Sequence, residues 1–149
     1  MNKGELRIFS QKVILRPLTT KDATSQYASW LNDPIVNKFL ETRRATTRDL
    51  KDYIQEKNLN SNAILLGIFL KKNSLHIGNV KLEPIDFEKK IAQFGLLIGE
   101  KDYWGKGIGT EVTKMVINWA FKKLGLKKIE LGVIVNNTAA INVYKKAGF

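Results

Sequence analysis

Three apolar runs between Ala63 and Ile98 constrain this chain more than any other feature. Ala63–Leu70 and Leu75–Leu82 are joined by the polar turn Lys71-Lys72-Asn73-Ser74, and Ile91–Ile98 follows across Pro84–Lys90. Short apolar runs joined by brief polar turns predict antiparallel strands placed side by side. The flanks read differently. Val13-Ile14-Leu15-Arg16 predicts a first strand, closed by Pro17, which cannot donate to a ladder. Thr19-Thr20-Lys21-Asp22 has a capping-box pattern and predicts a helix through about Leu31, stopped by Asn32-Asp33-Pro34. A second capping box, Thr46-Thr47-Arg48-Asp49, predicts a helix with Leu50, Tyr53 and Ile54 on one face.

Beyond Gly107 the period becomes helical, with Ile108, Val112, Met115, Val116, Trp119 and Ala120 on one stripe and Gly125 as the stop. Ile129–Val135 predicts a buried strand, and Thr138–Lys146 a short helix carrying Ile141 and Tyr144. The expected architecture is therefore α/β (α+β), one domain over residues 1–149 with a β-loop-α-β unit late in the chain. Gly148-Phe149 follows directly on a helix cap, and the expectation is that a C-terminal strand is missing.

Composition removes several chemistries. With no cysteine there is no disulfide, thiolate metal site or cysteine nucleophile. His76 is the only histidine, which argues against a histidine metal cluster or a Ser-His-Asp triad, so no metal is expected. No apolar stretch approaches membrane-spanning length, and the first residues lack the apolar core of a signal peptide. The expected location is cytoplasmic, with no membrane partner. The net charge of +11 suits an anionic ligand, but its sources are scattered lysine doublets without interleaved aromatics. A solvated surface favouring an anionic cofactor is the preferred reading over a nucleic-acid groove.

The segment Trp104-Gly105-Lys106-Gly107-Ile108-Gly109-Thr110 joins the third apolar run to the long helix. Its glycines let backbone amides converge, and a helix N-terminus adds partial positive charge, so it can cradle a phosphate, with Lys106 on the rim. The Walker pattern fails because the lysine precedes the last two glycines. The dinucleotide pattern fails on its Gly-x-Gly-x-Gly spacing, and Glu130 lies at the start of the next strand rather than its end. On spacing alone the loop is an anion cradle or a glycine-rich turn.

Trp104–Gly109 resembles the [Gln/Arg]-x-x-Gly-x-[Gly/Ala] motif of the GNAT family of N-acetyltransferases, with Trp where Gln or Arg is usual. Asn137, Ala140, Ile141, Tyr144 and Gly148-Phe149 are similar to that family's second signature, a helix and a strand further on. Leu15-Arg16-Pro17-Leu18, Trp30–Pro34 and Gly78-Asn79-Val80 resemble the branch of ribosomal-protein and polyamine acetyltransferases, and His76–Leu82 resembles members tied to amino sugars. The resemblance implies a GNAT fold, a mixed and mostly antiparallel central sheet flanked by helices.

It also implies transfer from acetyl-CoA directly to a primary amine, the acceptor being an amino sugar, a protein N-terminus, a polyamine or an aminoglycoside. The alternative is a non-catalytic acyl-CoA-binding or nucleic-acid-binding module, and the domain is expected to act as a monomer or homodimer. By the same resemblance the pantetheine arm pairs with backbone groups of Leu96, Leu97 and Ile98, and Trp104, Gly105, Lys106, Gly107, Ile108, Gly109 and Thr110 take the pyrophosphate. Asn137 contacts the cofactor, although a helix N-cap explains it nearly as well. Tyr144 protonates the departing thiolate, with core packing as its alternative. Glu83, Glu100, Asp33 and His76 are candidates for a base that stays unassigned. The two glutamates are expected at the surface, and strand alternation turns His76 toward solvent.

Overall fold

The computed structural model describes residues 2–149. Its strands and α-helices are β1 (Ile8–Phe9), β2 (Val13–Pro17), α1 (Ser25–Asn32), α2 (Thr47–Leu59), β3 (Ile64–Leu70), β4 (His76–Asp86), β5 (Ile91–Ile98), α3 (Ile108–Lys123), β6 (Lys128–Glu130) and α4 (Thr138–Lys146), with short 3-10 turns between them. The strands form one sheet in sequence order, antiparallel throughout except for the β5–β6 pair. The three apolar runs are β3, β4 and β5, as predicted. No helix among the described residues is long and apolar enough to cross a membrane.

β3 is buried along its whole length because both faces of the sheet are covered. On one face Leu66, Ile68, Val80, Leu82 and Phe94 meet Ile108, Val112, Val116 and Ala120 of α3, with Tyr144 of α4. On the other, Leu65 and Phe69 meet Tyr27, Trp30 and Leu31 of α1 and Leu50 and Ile54 of α2. The α3 stripe read from the sequence is thus the buried one, and Gly125, at φ 69°, follows its last turn.

Four local expectations change. The Thr19 motif closes only a 3-10 turn over Thr20–Asp22, and Thr24 caps α1 instead, accepting from the Tyr27 N–H at 3.1 Å. The reason is Asp22, whose carboxylate takes the Thr19 N–H and is also gripped by both Arg16 terminal nitrogens at 2.9 Å. That tie holds the turn to β2 and keeps it separate from α1. The second capping box is complete, with Asp49 accepting from Thr46 N at 2.9 Å and Thr46 from Asp49 N at 3.1 Å. β4 continues past Pro84 to Asp86, because a register shift between Leu82 and Ile85 leaves the proline outside the ladder. The short β1 was not foreseen; two residues carry too little pattern to be read.

The fourth change matters for function. The predicted buried strand Ile129–Val135 pairs only over Lys128–Glu130, and Val133, Ile134 and Val135 are exposed. β6 is an edge strand held by three register pairs to β5, Ile91↔Lys128, Ala92↔Ile129 and Gln93↔Glu130. Beyond Gln93 the two strands part.

Candidate active site

The parting of β5 and β6 makes the candidate site. β5 pairs with β4 as far as Gly78↔Ile98, but from Phe94 to Ile98 its other edge has no strand partner among the described residues. The backbone groups on that edge, within a stretch that includes Leu96, Leu97 and Ile98, face an opening rather than a ladder. Gly109 sits where three elements converge: a Cβ added there would lie 3.4 Å from both Leu96 Cδ2 and Val143 Cγ1. The opening is therefore walled by β5, the first turn of α3 and α4.

At the loop, Gly105 and Gly107 adopt φ of 71° and 81°, and Gly107 is the N-cap of α3. These left-handed values are costly for any residue with a Cβ. The Glu111 N–H is the first to bond back into the helix, to Gly107 O at 3.0 Å. The N–H groups of Ile108, Gly109 and Thr110 thus have no partner within the helix and sit at its positive end. Lys106 is exposed, with Nζ 5.3 Å from the Tyr103 ring centre.

Trp104 behaves differently from its neighbours. Its indole N–H donates to Ile98 O at 2.7 Å and its backbone N–H to Lys101 O at 3.0 Å. Trp104 thus has both donors occupied within the chain. It staples the loop to the end of β5.

Tyr144 is buried, and its ring stands edge-on to Phe94 with centroids 6.1 Å apart. Phe94 is the first β5 residue past the last β5–β6 pair, so Tyr144 sits at the apex of the fork. Phe149 closes the group at 5.9 Å from Tyr144. Core packing and position at the fork are therefore both realised. Burial raises the hydroxyl pKa above the ordinary tyrosine value of 10.0, so the group holds its proton at neutral pH. Asn137 caps α4, its Oδ1 accepting from Ala140 N at 3.2 Å.

Of the candidates for a base, His76 is a correction. It is 8% exposed, stacked on Phe69 at 4.7 Å, edge-on to Tyr27 and Trp30, and its Nε2 lies 2.7 Å from Asn79 Oδ1. The β3–β4 irregularity between Ile68 and Phe69 shifts the register beside it, so simple alternation misplaces its side chain. Burial lowers its pKa, opposed by the bond to Asn79 and the charge of Asp22. A histidine held neutral stabilises the fold above its unfolded value near 6.5, and this contribution is lost as pH falls toward its lower folded value. The urea midpoint is expected to drop between pH 7.5 and pH 5, and His76→Gln to flatten that drop. An equal drop in the variant would remove His76 as its source.

Glu100 and Glu83 are not free surface carboxylates either. Glu100 Oε1 accepts from Trp30 Nε1 at 2.8 Å and Gln26 Nε2 at 2.7 Å, fastening α1 to the end of β5. Gly99 permits this, because a Cβ there would overlap the Trp30 indole. Trp30 was marked by the resemblance, whereas Gln26 carried no signal in the sequence. Glu83 Oε1 meets Lys57 Nζ at 2.6 Å, and its Oε2 is buried without a partner. Asp33 pairs with Lys101 at 2.7 Å, pinning the turn after α1 to the segment after β5. A cavity of about 460 Å³ lies elsewhere, between the N-terminal turn and the end of β2. Its Lys3 and Arg16 are already spent on backbone carbonyls and on Asp22.

The fork, the glycine-bound helix start and the two-faced sheet define a class. A family model described as the Acetyltransferase (GNAT) domain matches residues 12–149, and the chain belongs to that family, whose members transfer acyl groups to amines. It is similar to the uncharacterised N-acetyltransferase p20 of Bacillus licheniformis, 28% identical over 146 residues, covering 95% of this chain and 81% of that one. Among solved structures, spermidine N-acetyltransferase from Vibrio cholerae in complex with CoA and spermine superposes with a TM-score of 0.83 at 21% identity, covering 93% and 81%. The microcin C7 self-immunity acetyltransferase MccE, in complex with acetyl-CoA and AMP, superposes at 0.81 with 23% identity, covering 94% and 79%.

Proposed function

We propose that residues 1–149 form one acetyl-CoA-dependent N-acetyltransferase domain that moves an acetyl group directly onto a primary amine of a small molecule or peptide. The observation that carries this is the fork, an unpaired strand edge running from the Phe94–Tyr144 contact to the glycine-bounded start of α3. The residues present fit an acyl-CoA. Within the stretch Leu96, Leu97 and Ile98, the backbone groups on the free edge that no partner in the chain takes suit an amide-bearing arm, the Ile98 carbonyl being held by Trp104. The amides around Gly105–Thr110 and the positive end of a 16-residue helix suit a diphosphate, and no acidic side chain lies between Trp104 and Thr110. Asn137 contributes by capping α4, which keeps Tyr144 in place.

When bound, the donor supplies an acetyl group on a thiolate leaving group. Tyr144 holds a proton at its hydroxyl for that sulfur, and its raised pKa keeps the proton available across the range in which amines become neutral. The non-catalytic alternative is not favoured, since the family is one of transferases. The same reading has the domain working in the cytoplasm as a monomer or homodimer.

The test is thiol release from acetyl-CoA across a panel of amines. Because the chain has no cysteine, every thiol detected comes from CoA. Amine-dependent release is expected. Calorimetric CoA binding with no release for any amine would convert the reading to an acyl-CoA-binding module. Salt-sensitive heat with a DNA duplex would favour the nucleic-acid alternative.

A further inference from the structure

Gly95 opens a space on the sheet face opposite Tyr144. Its neighbours Phe94 and Leu96 pack toward α3 and α4, whereas Leu97 packs toward α1 and α2, so the Gly95 position faces the α1–α2 side. A Cβ added at Gly95 would meet nothing within 4 Å. This open floor lies on the free stretch of β5, on the side an acceptor can use while the donor occupies the fork from the α3–α4 side.

Lys81 stands directly across from Gly95 in the β4–β5 register and therefore shares its face. Its Nζ lies 3.3 Å from the Tyr53 hydroxyl and 5.7 Å from that ring's centre, which places the ammonium group at the α2 wall of the space. Lys57 also lies over Tyr53, at 5.4 Å, but it is neutralised by Glu83 at 2.6 Å and Glu56 at 3.0 Å. Lys81 takes part in none of the ion pairs among the described residues. Beside the open floor, then, stand a cation outside any ion pair and the Tyr53 hydroxyl, with the Lys57–Glu56–Glu83 cluster next to the same ring. A polycationic acceptor would meet like charge there, and an anionic group would find a charge-assisted partner. The fold itself leaves this choice open, since its solved relatives include one bound to spermine and one bound to AMP.

We infer that the amine acceptor carries an anionic group, carboxylate or phosphate, which Lys81 binds beside the Tyr53 hydroxyl above Gly95. The inference rests on the acetyltransferase reading and sharpens its acceptor. Lys81 acts on specificity and not on the acyl transfer itself.

The experiment compares matched amines with acetyl-CoA: glucosamine 6-phosphate against glucosamine, glycylglycine against glycylglycinamide, and spermidine as the polycation. The first pair reports a phosphate and the second a carboxylate. In the wild type, kcat/KM is expected to favour an anionic member over its neutral partner by roughly ten-fold or more, carried by KM, as one charge-assisted hydrogen bond implies. Lys81→Met should collapse that ratio toward one, Lys81→Arg should restore it, and Lys81→Glu should shift preference to spermidine. A wild-type preference for neutral amines or spermidine, or a ratio untouched by Lys81→Met, overturns the inference while leaving the transferase intact. Thiol release that no amine increases overturns the transferase reading. Calorimetry of the same pairs on the CoA-saturated protein then decides the Lys81 contact by itself, with equal affinity within both pairs counting against it.

Discussion

Tyr144→Phe is expected to lower kcat by about two to three orders of magnitude, the usual contribution of a positioned general acid. The fold should survive, because the ring's edge-on contacts with Phe94 and Phe149 do not involve the hydroxyl. CoA affinity should change little, since the proposed binding groups are backbone amides of other residues. The informative result is therefore a fall in kcat with an unchanged dissociation constant for CoA and an unchanged melting temperature. In the wild type, the rate should rise with pH as the amine loses its proton, without a falling limb near 10.0, because burial holds the hydroxyl above that value. Full activity in the phenylalanine variant would leave Tyr144 as a packing residue only.

The second large effect concerns the anion cradle. Gly107 and Gly125 both sit at positive φ, 81° and 69°, and a Cβ added at either meets no atom within 4 Å. A β-branched residue is equally misplaced in both backbones, so Gly107→Val and Gly125→Val should each cost about 1–2 kcal/mol of stability. Only Gly107 caps α3 beside the fork. Its valine variant must either bear the strain or turn the loop amides away, and losing one amide bond to a charged phosphate is worth roughly 10- to 100-fold in CoA affinity. Gly125→Val serves as the control, matched in strain and remote from the loop. If calorimetry finds the two variants binding CoA alike, the phosphates do not lie where α3 begins.

Most of the framework was legible because it depends on local pattern. The three central strands, the α3 stripe and the Thr46–Asp49 box are each specified within a few residues, by apolar periodicity or by side-chain oxygens facing nearby amides. What misled were places where a distant partner competes. Asp22 was read as a local cap, yet Arg16 shares its carboxylate and the helix starts later at Ser25. Alternation alone turns His76 to solvent, and a register irregularity together with three aromatic rings buries it.

The glycine loop shows the division most clearly. Its spacing and the Asn137–Phe149 signature sufficed to mark an anion cradle ahead of a helix and to imply an acyl donor, because amide convergence at a helix start depends on neighbouring residues alone. That β6 leaves β5 after Gln93, that Trp104 spends both its donors on holding the loop, and that Lys81 meets an open floor at Gly95 are facts of tertiary structure. Each depends on which strand edge or side chain lies opposite, a long-range pairing that no local pattern encodes. The sequence thus marked the loop proposed to hold the donor, and the packing of α1 and α2 over β4 and β5 decided what stands beside Gly95.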